Sequence, residues 1–350
     1  MKKILAFVLA ACMLLALTAC GSSAPAATEA PAAPATEAPA AEAPATEAPA
    51  EAPAEAKAYK VGVSQFVQHP ALDAATQGFM DKLTELLAAD GATVEFDVQN
   101  ASGDMATCGT IANAFVTAEV DLIMANATPA LQAASAATAD IPILGTSVTE
   151  YGVAMGIQDF NGTVGGNVSG TSDLAPLDKQ AEMLNAWFPD AKNVGLLYCS
   201  AEQNSQYQVD TVQKYLEELG YTCKQYSFAD SSDMQSVVTT CAAESDVVYV
   251  PTDNAVASAT GIVDPICQAE KVPVIAGEEG ICAGCGVATL SISYYDLGVK
   301  TGEMAYEVLT GKADISTMPV GYAATQTPKY NPTICDALGL TPLDGYEAIG

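Results

Sequence analysis

From Tyr59 onward, short β-branched runs alternate with helical patterns, and the alternation passes through two successive cycles. In the first cycle, residues 60–63, 94–98, 122–124 and 141–144 read as strands, with helices at 70–89, 108–117 and 130–138 between them. The helix at 70–89 carries Phe79, Leu83, Leu86 and Leu87 on one stripe, the spacing of a buried helical face. The second cycle begins at 193–198. It continues through a helix at 206–219, a strand at 222–226, a helix at 234–243, a strand at 247–250, a helix at 254–270 and a strand at 272–276. Strands separated by helices pair in parallel and are covered by those helices on both faces. Two cycles of similar length predict an α/β protein of two lobes, each a doubly wound parallel sheet.

Open sheets of this kind place ligands at the carboxyl ends of their strands. The first cycle offers Ser64, Gln65, Phe66 and His69-Pro70-Ala71, then Ala127-Thr128-Pro129-Ala130, then Thr149. The second offers Asn204 and Ser205, Asp253 and Asn254, and Glu278 beside Glu279. Pro70 and Pro129 stand where helices begin, a position at which the missing N–H costs nothing. Free N–H groups in such first turns, with the helix dipole behind them, bind anions.

Composition narrows the chemistry. The net charge is −29, all 13 basic side chains are lysine, and no arginine exists to clamp a carboxylate or phosphate. A strongly acidic chain without arginine does not suit nucleic acid. His69 is the only histidine, too little for a catalytic triad or phosphate chemistry, so no catalytic residue, metal or cofactor is expected. An anion must instead be held by backbone N–H groups, hydroxyls or lysine. Thr128, Ala130, Thr149 and Ser205 are the candidates for a carboxylate, and Asp253 for an ammonium group, with Glu278 and Glu279 as alternatives. His69 would stack on or hydrogen-bond the ligand, and Phe66, Tyr151 and Tyr207 would wall an apolar pocket. Trp187 reads as core. Cys282 and Cys285 have the spacing of a thiol oxidoreductase, a competing reading, but lie between glycines in an expected loop. A disulfide or two idle thiols is expected there.

The amino terminus sets the compartment. Lys2-Lys3, an apolar run over 4–17 and Leu17-Thr18-Ala19-Cys20 compose a secretory signal whose cut site resembles the lipobox of bacterial lipoproteins. The run is too short for the ~20 residues of a spanning helix. The resemblance implies that the signal within residues 1–20 is cut just before Cys20, which becomes the lipid-bearing first residue of an extracytoplasmic, membrane-anchored protein. Residues 21–58 contain little besides Ala, Pro, Glu, Thr and Ser, including Thr-Glu-Ala-Pro-Ala at Thr28, Thr36 and Thr46. Such a stretch has no core to offset its ordering entropy and reads as a disordered tether.

Four segments in order carry a more specific resemblance: 65–73 (Gln-Phe-Val-Gln-His-Pro-Ala-Leu-Asp), 127–130, 251–254 (Pro-Thr-Asp-Asn) and 293–298 (Ser-Tyr-Tyr-Asp-Leu-Gly). Together they resemble the ABC-transporter substrate-binding lipoproteins of the tryptophan/tyrosine-type family, over about residues 59–329. The resemblance implies a type I periplasmic-binding-protein fold with a crossing hinge. One lobe would hold 59–172 and 293–316, the other 173–292 and 317–350. It implies a monomer that captures a small solute, most readily an aromatic or branched amino acid, and presents it to an ABC permease. A sugar or nucleoside receptor on the same fold is the alternative.

Overall fold

The computed structural model describes residues 57–350. The expected signal, the expected lipidation site at Cys20 and nearly all of the expected tether lie outside the described residues. The first cycle runs β1 (Ala58–Gln65), α1 (Pro70–Ala89), β2 (Thr93–Asn100), α2 (Met105–Thr117), β3 (Leu122–Asn126), α3 (Thr128–Ala137), β4 (Ile143–Thr146), α4 (Tyr151–Met155) and β5 (Val168–Ser172). The second runs α5 (Leu177–Trp187), β6 (Asn193–Cys199), α6 (Gln203–Glu218), β7 (Thr222–Phe228), α7 (Ser231–Glu244), β8 (Val247–Val250), α8 (Asn254–Ala257), α9 (Thr260–Glu270), β9 (Val274–Ala276), α10 (Glu279–Cys285) and β10 (Ala288–Ser291). The chain closes with α11 (Tyr294–Leu309), β11 (Gly321–Tyr322), β12 (Thr327–Tyr330), α12 (Pro332–Leu338) and β13 (Glu347–Ala348).

These strands form two sheets, ordered β11-β5-β4-β3-β1-β2 and β13-β12-β10-β9-β8-β6-β7. The first is parallel throughout, whereas β12 runs antiparallel to β10 in the second. Apolar clusters cover both faces of each sheet, as the uniformly buried β3, β4 and β8 require. The chain passes between the sheets after β5, again between β10 and α11, and last between β11 and β12. Gly321 and Tyr322 pair with Thr171 and Ser172, so the first sheet keeps the chain beyond the expected limit of 316.

Two local expectations are corrected. The single helix over 254–270 is split, because Ala259 leaves the helical region and the Ser258 hydroxyl bonds back to the Ala255 carbonyl at 3.0 Å. The segment holding Cys282 and Cys285 is helical rather than a loop, since the Glu278 carboxylate caps the N–H groups of Gly280 and Ile281.

Helices α1 and α11 pack with no side-chain layer between them at three points. A Cβ on Gly78 would strike the Tyr295 carbonyl, one on Gly298 the Ala75 carbonyl, and one on Gly302 the Phe79 carbonyl. Glycine is required there by proximity, not by backbone angle.

Candidate functional site

The carboxyl ends of both sheets face a cleft crossed by side chains from each lobe. On the first lobe, α1 and α3 begin without any side-chain cap, at His69 and Ala127, and each has proline in its first turn. Ala127 holds φ 89 and ψ 157, and Ser147, beyond β4, holds φ 54. Side chains rarely adopt these conformations, and such strain collects at ligand clamps. Beside them the hydroxyls of Thr128 and Ser147 are buried without a hydrogen-bond partner. Bare N–H groups, an unpartnered hydroxyl and a helix dipole converge at Thr128.

The second lobe is finished differently. Asp253 is 1% exposed and its oxygens accept from the N–H of Cys199 at 2.7 Å and of Val256 at 2.9 Å, capping α8. Glu278 caps α10 in the same way. Glu202 accepts from the N–H of Ala255 at 2.9 Å and from Asn254 Nδ2 at 2.6 Å. Burial pushes Glu202 up to about 8, with the Asp253 charge adding to the effect, and pushes Glu278 up to about 7. Asp253 is raised by burial too.

Between the lobes, just past β5, Asp173 is 4% exposed. The Tyr294 hydroxyl donates to its Oδ2 at 2.8 Å, while Oδ1 has no partner. Burial raises its affinity for a proton, against the pull of the Tyr294 hydroxyl. The Thr149 hydroxyl also reaches toward this carboxylate, and a buried carboxylate so sparsely partnered can accept from a ligand's cation.

The expected site residues divide accordingly. His69, Thr128 and Asn204 keep a buried polar atom free, and Pro70 and Ala71 line a cavity of about 450 Å³ with Glu278 and Tyr294. Ala130 presents the first turn of α3. Gln65 is committed to the scaffold: its Nε2 donates to Asp73 at 2.7 Å and its Oε1 accepts from Thr76 at 2.7 Å. Thr149 is buried and its carbonyl accepts from Ser172. Ser205 turns its hydroxyl to Asp253. Asp253, expected to meet an ammonium group, is engaged on both oxygens by backbone N–H groups. Asn254 bonds His69 across the cleft at 3.1 Å. Phe66 belongs to the first-lobe core and borders a second cavity, of about 190 Å³, with Glu202.

Tyr151 is a correction, because it is core and not pocket wall. Its hydroxyl fits against Gly145 and Gly170 and donates to the Thr171 carbonyl at 3.2 Å. Asp173, Ser147 and Glu202 were not anticipated. Each sits in a short polar turn after a strand, indistinguishable by sequence from a solvated turn. The described cysteines are all free thiols. Cys282 and Cys285 are buried and desolvation holds both well above the usual thiol range, opposite to what a reactive pair needs.

The family model described as ABC transporter substrate binding protein matches residues 60–344. The chain belongs to that family. A tyrosine-binding protein of Clostridioides difficile (strain R20291) is 40% identical over 264 residues, 75% of this chain and 76% of that one. An ABC domain from Streptococcus pneumonia in complex with L-Trp is 33% identical, superposes with a TM-score of 0.78, and covers 84% of this chain and 100% of its own. A ligand-free, open substrate-binding protein with adhesive properties from Clostridium difficile is 38% identical and covers 83% and 99%, yet its TM-score is 0.62. The open relative thus superposes less well despite its higher identity. That difference agrees with the bonds that join the lobes of this substrate-binding protein, from His69 to Asn254 and from Gln132 to Gln203.

Proposed function

We propose that this substrate-binding protein captures a zwitterionic α-amino acid, aromatic by preference, between its lobes. The carboxylate rests on the α3 terminus, with the Thr128 hydroxyl and the N–H groups of Thr128 and Ala130. The ammonium group rests on Asp173. The observation that carries this reading is the pairing of unpartnered groups of opposite character: bare donors on the first lobe and a bare carboxylate oxygen at the crossing. Neither end needs arginine, which the chain lacks. The tyrosine-binding relative and the L-Trp complex support the aromatic preference.

Capture proceeds without chemistry, by closure about the three crossings between the sheets, and the closed form is presented to an ABC permease. The lobes that close are those built on the two sheets, with 59–172 and 293–322 on one side. In this reading the protein works as a monomer outside the cytoplasm, held to the membrane by lipid on Cys20, which the signal-like residues 1–20 and their resemblance to a lipobox support. The test is a thermal-shift and calorimetric series on the full chain with L-tyrosine, L-tryptophan, their D-isomers, sugars and nucleosides. Stabilisation by the L-amino acids that is lost in Asp173→Asn supports the reading. Stabilisation by sugars or nucleosides alone overturns the ligand class, and equal response to D-isomers overturns the two-point hold.

A further inference from the structure

The contact between His69 and Asn254 joins elements that lie far apart in sequence and on opposite lobes. His69 Nε2 and Asn254 Oδ1 are 3.1 Å apart, and both residues are buried. The amide cannot choose its orientation freely. Its Nδ2 donates to Glu202 Oε2 at 2.6 Å, and the backbone N–H of Asn254 donates to the same oxygen at 3.2 Å. With its NH₂ group committed to Glu202, Asn254 can offer His69 only its carbonyl oxygen. The imidazole must then carry its proton on Nε2, and Nδ1 is left as a buried acceptor without a partner. The contact also stands between two cavities, since Pro70 and Ala71 line the larger and Phe66 and Val67 the smaller.

We propose that His69 and Asn254 are the latch of the closed form, with Glu202 as the positioning residue that aims the Asn254 carbonyl at the imidazole. The latch rests on the solute-capture reading only in that a solute is what ordinarily closes the cleft. When the lobes part, His69 regains water and loses its partner, and Glu202 is left holding an amide whose carbonyl faces solvent. The imidazolium is the form that closure disfavours, because burial lowers the affinity of His69 for a second proton more than Asn254 and the Asp73 carboxylate on its own helix restore it. The acidic groups facing it from the other lobe are Glu202 and Asp253, both behind Asn254. A group whose closed-state pKa is depressed stabilises closure above its ordinary value near 6.5 and loses that contribution as the pH falls through the closed-state value.

Because His69 is the only histidine, its imidazole can be followed in the full chain by nuclear magnetic resonance without assignment. With L-tyrosine or L-tryptophan bound, the ring nitrogens should report the Nε2–H tautomer and a titration midpoint below that of the ligand-free chain. Asn254→Ala should erase the tautomer preference and weaken binding about three- to tenfold, while the melting curve reports separately the stability lost by the buried Glu202 carboxyl it leaves behind. The same midpoint with and without ligand, or unchanged binding in Asn254→Ala, overturns the latch. If neither amino acid binds the wild-type chain, the capture reading fails, and the latch is then read without ligand. A bifunctional maleimide joining Gln132→Cys and Gln203→Cys, whose native side chains meet tip to tip at 2.9 Å across the cleft, holds the lobes together. The locked chain must show the Nε2–H tautomer and the lowered midpoint. If it shows neither, the latch is wrong whatever the ligand.

Discussion

The two lobes differ in how some of their cleft-side helices begin, although α4 on the first is capped by Glu150 and α6 on the second starts without a side-chain cap. On the first, α1 and α3 start bare, and Ala127 holds a conformation that alanine rarely adopts. On the second, α8 and α10 start on buried carboxylates, and Glu202 adds a third. Helices α2 and α7 are capped ordinarily, by Asp104 and Asp230. In the proposed reading, a chain without arginine makes an anion site by withholding caps where a ligand can supply one. The opposite lobe is made rigid by the caps it keeps. Affinity should therefore be concentrated on the first lobe and at Asp173, and stability on the second.

The strongest test of that division is pH. Glu278 and Glu202 hold protons in the folded chain that the unfolded chain releases, so stability should fall as the pH rises from about 4.5 through about 7 and about 8. For Glu278 the loss is about 3 kcal/mol. Melting curves between pH 5 and 9 measure it, and Glu278→Gln should flatten the slope. Stability that climbs over this interval would break the contrast.

Asp173→Asn comes next, removing charge while keeping shape. Calorimetry should show amino-acid binding weakened about 10- to 100-fold, the range for a hydrogen bond to a charged group. Asp253→Ala should do the reverse. It leaves the Cys199 N–H buried without a partner, which should lower stability by about 1–3 kcal/mol in chemical denaturation. Thr128→Val sharpens the first-lobe side: its hydroxyl has no partner in the protein, so binding should weaken about tenfold with an unchanged melting temperature. The smallest effect belongs to Asp104→Ala, a slight loss of stability from the missing α2 cap and no change in affinity. An affinity change there would mean that caps act on binding through general rigidity rather than through the cleft.

Most of the architecture was legible because period and length suffice to name strands and helices. The helix Pro70–Ala89 and the strand Val247–Val250 stand where the pattern puts them. The split at Ala259 and the short helix over Cys282 and Cys285 were hidden, since each depends on a single side chain, Ser258 or Glu278, bonding to nearby backbone. At the site, the turns could be named but not the protonic role of each acid. Asp253 and Asp173 both follow strands of their lobes. Only packing decides that one is filled by N–H groups and the other keeps an oxygen free. His69 and Asn254 were each recognisable as cleft residues, but their meeting is a relation across 185 positions that no local pattern encodes.

The glycine contacts between α1 and α11 give the hinge its gearing. Helix α11 starts directly after the second crossing, and α1, 20 residues and about 30 Å long, starts directly after His69. Where two helices touch backbone to backbone, no side chain can shear or re-pack between them to absorb a rotation. A turn at the crossing must then arrive undiminished at the imidazole, as though both helices were cut from one bar. Gly298→Ala would put play into that bar, so that the crossing could rotate while His69 lagged behind.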